Sequence, residues 1–197
     1  MKKSIIAFAC SFLALSSIQA QAADLEEGKA AFETCRGCHS APNYSNAYPT
    51  YYVPKIGGQR AEYSVAALKA YKEKNRAHGT MKANAYDLSE QTIENIAAYI
   101  QANPGKKSPA PARGNPANGK ELAATCVSCH TNKLKDGGNM PILAGQHENY
   151  LIKAMHDYQA GKRNNPIMQS MLNGLSEDDL QDIAAYFARQ SGLSVVE

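Results

Sequence analysis

The sequence predicts an all-α protein built as two tandem domains. Apolar residues recur at i, i+3, i+4 and i+7, which is the spacing of a helix with one buried face, and no alternating pattern typical of strands competes with it. Nearly all of the chain after its amino-terminal segment also consists of two copies of one sequence repeat, at a nearly constant offset. A period this long indicates two domains rather than a stack of short repeats.

The repeat keeps one offset up to the cysteines and a second offset from a proline onward. Gly28 lies seven residues before Cys35, as Gly119 lies seven before Cys126, and the two copies are 91 residues apart there. The offset falls to 87 residues from Pro54 onward, because the first copy has four more residues in the preceding loop. The later matching pairs are Pro54 and Pro141, Gln59 and Gln146, Tyr63 and Tyr150, Tyr71 and Tyr158, Met81 and Met168, and Tyr99 and Tyr186.

Residues 1–22 are predicted to be a secretory signal peptide. Two lysines form a positive start, an apolar stretch covers residues 5–18, and Ala20-Gln21-Ala22 offers the small residues that a signal peptidase requires. The apolar stretch is too short to span a bilayer. We therefore expect a mature chain that starts near Ala23 and is exported to the periplasm.

The remaining chain divides into a first domain (23–103), a linker (104–116) and a second domain (117–197). The linker contains four prolines, two glycines and no large apolar residue, so it cannot pack a core and is expected to be extended. Each domain has about 80 residues, a length that buries little apolar surface on its own. A covalently held prosthetic group with large apolar faces would supply the missing core.

Each domain is predicted to contain three helices. The first runs from about Leu25 to the cysteines and, in the second domain, starts at about Ala117. The third begins at Ser89 or Ser176, where a hydroxyl can cap free amide groups. The buried face of the second helix is formed by Ser64, Ala67, Leu68 and Tyr71, and in the other copy by Leu151, Ala154, Met155 and Tyr158. The buried face of the third is formed by Ile93, Ile96, Ala97 and Ile100, and in the other copy by Leu180, Ile183, Ala184 and Phe187.

The motif Cys-x-x-Cys-His occurs twice and predicts two attachment sites for c-type haem. Cysteines at this spacing can each add across one vinyl group of the same haem, and the adjacent histidine can then bind the iron. A zinc site would need the two motifs to share ligands, although each lies in its own domain, and a thioredoxin-like pair would leave the repeated histidine unexplained. Cys10 leaves with the signal peptide, so no cysteine is spare for a disulfide. The predicted haem-binding residues are Cys35, Cys38 and His39, and Cys126, Cys129 and His130.

The net charge argues against a nucleic-acid-binding protein. It is +3 for the whole chain and falls to +1 once the two lysines of the signal peptide are removed. Residues 117–197 hold seven basic and nine acidic side chains, whereas the first domain is neutral. This asymmetry could orient the protein on a partner, and ordinary solvated surface charge explains it equally well.

Together these features resemble the dihaem cytochrome c4 family, in which a short linker joins two class I cytochrome c domains. The resemblance covers about residues 24–190 and rests on the paired motifs, on a Pro-x-x-x-Gly-Gln element after each, and on a methionine seven residues before a Leu-Ser helix start. The tyrosine-rich loop of residues 40–53 departs from a perfect duplication. The resemblance implies two covalently bound haems. It also implies that the carbonyl groups of Pro54 and Pro141 accept hydrogen bonds from the ligand imidazoles.

A methionine opposite each histidine would complete the iron ligands, and a thioether there suits electron transfer. Met81 is the single methionine of the first domain. The second domain offers Met140, Met155, Met168 and Met171. The repeat register selects Met168, and Met171 remains a rival because a small change in its loop could bring it to the iron. Met155 falls on the buried face of a helix, and Met140 has no methionine counterpart.

Three further histidines have to be placed. His78 could compete as an iron ligand, but its counterpart is Asn165, so we expect a surface histidine. His147 and His156 are expected on the polar face of a helix. His147 aligns with Arg60, and both are candidates to reach a haem propionate.

The resemblance implies an electron carrier and no catalytic residues. Such a carrier would accept electrons from a quinol-oxidising complex or a small cytochrome and pass them to a terminal oxidase or reductase, through small and transient interfaces. We expect a periplasmic monomer whose two domains pack together. One alternative is the cytochrome subunit of a dehydrogenase, such as a sulfide-oxidising flavoprotein. Another is a dihaem enzyme, which would need an open or displaceable position at one iron.

Overall fold

The computed structural model describes residues 22–45, 50–106, 112–131 and 138–197. In these segments the regular structure is helical, and strand-like pairing is limited to isolated bridges, which confirms the all-α prediction. None of the helices in these segments is long and apolar enough to cross a membrane. The predicted signal peptide, apart from Ala22, lies outside the described residues.

Four helices in each half of the chain follow the same order. The first half contains α1 (Leu25–His39), α2 (Ala61–Lys72), α3 (Gly79–Ala85) and α4 (Glu90–Ala102). The second half contains α5 (Pro116–Leu122), α6 (Glu148–Gln159), α7 (Pro166–Leu172) and α8 (Glu177–Ala188), with a short 3-10 helix at Cys126–Ser128 between α5 and α6.

The predicted helix starts are confirmed, and their side-chain caps explain them. The side chain of Asp24 accepts hydrogen bonds from the amides of Glu26 and Glu27 in the first turn of α1. The side chain of Asn115 accepts from the amides of Ala117 and Asn118 in the first turn of α5, which begins at Pro116. Ser89 caps α4. Ser176 caps α8 in a capping box, in which its hydroxyl accepts from the Asp179 amide and the Asp179 carboxylate accepts from the Ser176 amide.

The short helices α3 and α7 are absent from the prediction of three helices per domain. Each has seven residues and carries one of the predicted ligand methionines. A second difference concerns α5, which ends at Leu122, whereas α1 continues through its cysteines. A threonine precedes the first cysteine in both copies, but Val127 takes the place of Arg36 after it. The β-branched Val127 lowers helix propensity, and the motif of the second domain tightens into a 3-10 turn.

The first and last helices of each domain pack closely through a glycine. A β-carbon added at Gly28 would lie 2.2 Å from the carbonyl oxygen of Asn95 on α4. One added at Gly119 would lie 1.9 Å from the carbonyl oxygen of Asp182 on α8. Both distances are far below van der Waals contact, so the repeated glycine before each cysteine motif sets the approach of the helix that carries the motif.

Two hydrophobic clusters of the described residues contribute to the core, and each contains part of the predicted buried faces. The cluster of the second domain comprises Ala123, Leu151, Met155, Leu172, Leu180, Ile183, Ala184 and Phe187. The cluster of the first domain comprises Phe32, Ile96, Tyr99, Ile100 and, from the far end of the chain, Val196.

The last residues of the chain pack against the first domain. Ser194 and Gly57 exchange a pair of backbone hydrogen bonds of 2.8 and 3.1 Å, and the Gly105 amide donates to the Val195 carbonyl at 2.9 Å. The Tyr99 hydroxyl donates to the Glu197 carbonyl at 2.8 Å. This carboxy-terminal strap, residues 193–197, therefore ties the end of the second domain to the core of the first.

Candidate functional site

Each cysteine motif lies at the end of the first helical region of its domain. Cys35 and Cys38 occupy the last turn of α1, and His39 is its final residue. Burial raises the pKa of the Cys35 thiol, and it does the same for Cys126 in the other copy. A raised pKa keeps a thiol protonated, which is the opposite of what a thioredoxin-like redox pair needs.

Each motif histidine is oriented by a proline carbonyl. The Nδ1 of His39 donates to the Pro54 carbonyl at 3.0 Å, and that of His130 donates to the Pro141 carbonyl at 2.9 Å, which confirms the expected acceptors. These bonds place the proton on Nδ1 and leave the Nε2 lone pair available for iron. Both imidazoles are 8% exposed, and burial lowers the pKa of each, so both are neutral at physiological pH.

A residue of the first domain also lowers the pKa of His130. After burial, which lowers the pKa of His130, and the Pro141 carbonyl, which raises it, the positive charge of Arg60 lowers it further. Arg60 belongs to the first domain, and its guanidinium donates to the carbonyls of Met140 and Thr131 in the second.

The two methionine helices begin with matched caps. The amide of Met81 donates to Nδ1 of His78 at 3.2 Å, and the amide of Met168 donates to Oδ1 of Asn165 at 3.1 Å. The predicted surface role of His78 is therefore wrong. The sequence offered a signal that was missed, since both aligned residues, three positions before each methionine, can cap a helix.

The ring of His78 has no lone pair left for iron in this arrangement. Its Nδ1 accepts the Met81 amide, so the neutral ring carries its proton on Nε2, which faces the Tyr51 hydroxyl at 2.7 Å. Burial lowers the pKa of His78, which favours this neutral form. The contacts thus disfavour a bis-histidine site in the first domain.

The candidate methionines of the second domain differ in exposure. Met168 is partly buried and packs against the core, whereas Met171 is 45% exposed on the same short helix. Met155 is buried in the core, as predicted. The packing of these side chains therefore favours Met168 as the ligand.

The two domains meet through a reciprocal pair of glutamines. The side chain of Gln59 donates to the Ile142 carbonyl at 3.0 Å and accepts the Ile142 amide at 2.9 Å. Its counterpart Gln146 donates to the Lys55 carbonyl at 2.8 Å and accepts the Lys55 amide at 2.9 Å. Lys55 and Ile142 directly follow Pro54 and Pro141, whose carbonyls orient the motif histidines. The two glutamines therefore link each of these proline loops to the other domain.

Two buried arginines lie side by side at the interface. The backbones of Arg76 and Arg163 form an isolated bridge, and the guanidinium of Arg76 donates to the Tyr150 hydroxyl at 2.8 Å, as that of Arg163 does at 3.1 Å. Burial raises the pKa of Tyr150, but the two arginines outweigh it and lower the pKa to about 8. Asp157 lies 3.5 Å from Arg163. That distance is to the Nε of Arg163, so this group already faces a carboxylate. Among the described residues, the Nε of Arg76 is buried without a hydrogen-bond partner, which fits an acidic group of a bound cofactor.

Other expectations are settled by burial. His156 is on the polar side of α6 and pairs with Glu177 at 2.7 Å, as expected. His147 is only 1% exposed and its ring contacts that of Tyr52, with 4.9 Å between ring centroids, so its expected place on a polar face is wrong. In the segments described, no cluster of three or more histidine, cysteine or acidic side chains is arranged to hold a metal ion.

Comparison with known proteins gives consistent matches. A family model described as Cytochrome c matches residues 25–104 and 116–190. Cytochrome c4 of Pseudomonas aeruginosa is 49% identical over 80 residues, which is 40% of this chain and 40% of that protein. The thiosulfate dehydrogenase electron acceptor of Stutzerimonas stutzeri is 29% identical over 195 residues, covering 88% of this chain and 89% of that protein. The crystal structure of reduced recombinant cytochrome c4 from Pseudomonas stutzeri superposes with a TM-score of 0.67 at 26% identity, covering 88% of this chain and 100% of that one.

Proposed function

Because the chain belongs to the cytochrome c family and its two tandem domains carry two covalently bound haems c, as in cytochrome c4, we propose that it is a periplasmic electron carrier between a respiratory donor and a terminal oxidase or reductase. The haem iron supplies a one-electron couple between Fe(III) and Fe(II). One observation carries the proposal. In each domain a buried histidine next to a cysteine pair is fixed through Nδ1 by a proline carbonyl, so its Nε2 is left for iron.

We assign the haem attachment to the two motifs. Cys35 and Cys38 would hold the first haem, and His39 would be its proximal ligand. In the second domain the equivalent residues are Cys126, Cys129 and His130. The bound imidazoles stay neutral and fixed in orientation, since burial and the proline carbonyls act on both.

We assign the sixth iron ligands to Met81 and Met168. Their helices are capped in the same way, and Met168 is packed against the core while Met171 points to solvent. Thioethers of Met81 and Met168 at the two irons would leave no open coordination position, which would suit an electron carrier and not an oxidase or peroxidase. No catalytic residue is therefore assigned.

The remaining assignments follow from the repeat and the leader. Residues 1–22 would direct export, and the boundaries of the mature chain would be 23–103, 104–116 and 117–197. Both described ends of the linker are held in place: Gly105 bonds to the carboxy-terminal strap, and the amides of Arg113 and Gly114 donate to the Glu148 carboxylate at 2.8–2.9 Å. These contacts support a compact arrangement of the two domains. As a monomer, the protein would meet its redox partners, including a membrane-bound oxidase or a quinol-oxidising complex, transiently.

A redox titration of the mature protein, followed by optical spectra, tests the proposal. We expect two reversible one-electron transitions and, in the oxidised protein, a weak near-infrared band from sulfur-to-iron ligation at an intensity for two haems. Met168→Ala should remove roughly half of that band, because one of two thioethers is lost, and Met171→Ala is the matched control that should leave it intact. The methionine assignment is wrong if the two variants exchange these results. A single haem, or reversible binding of carbon monoxide to the reduced wild type, would contradict the carrier function.

A second candidate function is the electron-accepting subunit of a dehydrogenase. It is favoured by the relative from Stutzerimonas stutzeri, which is described as a thiosulfate dehydrogenase electron acceptor and aligns over most of both chains. Rapid reduction of this protein by a purified thiosulfate dehydrogenase, with slow reduction by a quinol-oxidising complex, would decide for this alternative.

A further inference from the structure

One interface position breaks the match between the two domains. Arg60 precedes α2 and is 6% exposed, and its counterpart before α6 is His147, which is 1% exposed. Each of these residues reaches into the opposite domain. The two halves therefore differ in charge at a position where both are buried.

Arg60 reaches the loop that holds the second histidine ligand. Its guanidinium donates to the Thr131 carbonyl, directly after His130, and to the Met140 carbonyl, directly before Pro141. Pro141 is the residue whose carbonyl orients His130. The cation of the first domain thus connects both ends of the loop that fixes the proximal ligand of the second domain.

His147 provides no such cation to the first domain. Its ring lies against Tyr52, two residues before Pro54, so it occupies the equivalent place beside the loop of the first ligand. Burial, with a contribution from Lys55, lowers the pKa of His147 to about 4, so the imidazole is neutral at physiological pH. Lys55 is a buried cation near that loop, but its ammonium extends across the interface and donates to the Gly145 carbonyl at 2.9 Å.

We propose that Arg60 is a positioning residue for the haem of the second domain: it holds Thr131 and Met140, the neighbours of His130 and Pro141, and its positive charge raises the reduction potential of that haem. The inference rests on the proposed ligation of the second iron by His130. Reduction adds one electron, from the redox partner, to Fe(III) and gives Fe(II) with no bond made or broken. A fixed positive charge nearby disfavours the more positive Fe(III) state, so it favours reduction.

The wild-type protein is measured first. A redox titration of the holoprotein, followed by paramagnetic NMR of the haem methyl groups, assigns each transition to one domain. These two wild-type potentials are the reference for the variants below. Spectra typical of histidine–methionine ligation at both haems would support the proposed function whatever the variants show.

Variants of Arg60 separate its charge from its hydrogen bonds. Removing a unit charge from roughly 10 Å, at an effective dielectric constant of about 20, changes an equilibrium constant by roughly tenfold. Arg60→Gln keeps a hydrogen-bond donor and loses the charge, so it should lower the potential of the second haem by about 59 mV, which corresponds to that tenfold change for one electron. Arg60→Lys should retain most of the wild-type potential.

Arg189→Gln is the matched control, because Arg189 is an exposed cation of the second domain. Solvent and salt screen an exposed charge, so this variant should leave both potentials unchanged. The inference is overturned if Arg60→Gln leaves the potential of the second haem at its wild-type value, or if it shifts the potential of the first haem alone. It is also overturned if Arg60→Lys lowers the potential of the second haem as much as Arg60→Gln does.

Discussion

Val196 belongs to the second domain in sequence, but Val196→Ala should destabilise the first domain. The residue lies at the end of the second domain, yet its side chain is 1% exposed within the core cluster of the first. Truncation removes two buried methyl groups and leaves a small cavity, which costs about 2 kcal/mol of unfolding free energy. Because the strap is attached to α1 and α4, we expect that loss to lower the opening free energy of these two helices.

Hydrogen exchange with peptide resolution measures this effect. A loss of about 2 kcal/mol corresponds to roughly thirtyfold faster exchange, since each 1.4 kcal/mol is tenfold. The expected increase lies in α1 and α4, with little change in α5 and α8. Val65→Ala on α2, where the valine is only partly buried, is the control and should have a smaller effect. Faster exchange confined to the second domain, or none at all, would refute the assignment of Val196 to the first core.

Two more predictions concern the interface. The pKa of His147 is lowered to about 4 in the folded protein, so the unfolded chain binds more protons between pH 4 and 6.5, and stability falls by roughly 3 kcal/mol in full as the pH decreases through that window. Denaturant unfolding at pH 7 and 4.5 should show this loss, and His147→Gln should reduce it. An unchanged pH dependence in His147→Gln would contradict the burial of this ring. Gln59→Ala should leave the amide and carbonyl of Ile142 without their partner, at a cost of about 1–3 kcal/mol for each group. Small-angle scattering should then detect a more extended pair of domains, whereas Gln169→Ala, at an exposed position of α7, should scatter like the wild type.

Local chemistry made much of the fold and site predictable from the sequence. Helix periodicity identified the buried faces of α4 and α8, and serine caps located their first residues. The cysteine motifs and the acceptor prolines were also recognisable, because each depends on a short run of residues or on the register of one repeat.

Features that depend on contacts between distant residues could not be predicted. His147 lies on a polar-looking stretch, yet it is buried and its ring packs against Tyr52 of the first domain. The strap carries no periodic pattern, and its partners lie far away in the sequence, at Gly57 and Gly105. The helices α3 and α7 are too short for an amphipathic pattern, although His78 and Asn165 marked their starts.

The exchanged bonds of Gln59 and Gln146 are those that a two-fold rotation axis imposes on a homodimer, in which residue i of one copy contacts j of the other and j contacts i. Each domain thus carries a self-complementary patch, and the linker serves mainly to raise the effective concentration of one patch near the other. Covalent joining also removes a restriction, because identical subunits must hold the same residue at equivalent positions. A fused pair can place arginine on one side of the axis and histidine on the other, and so can give two equivalent sites different affinities for an electron.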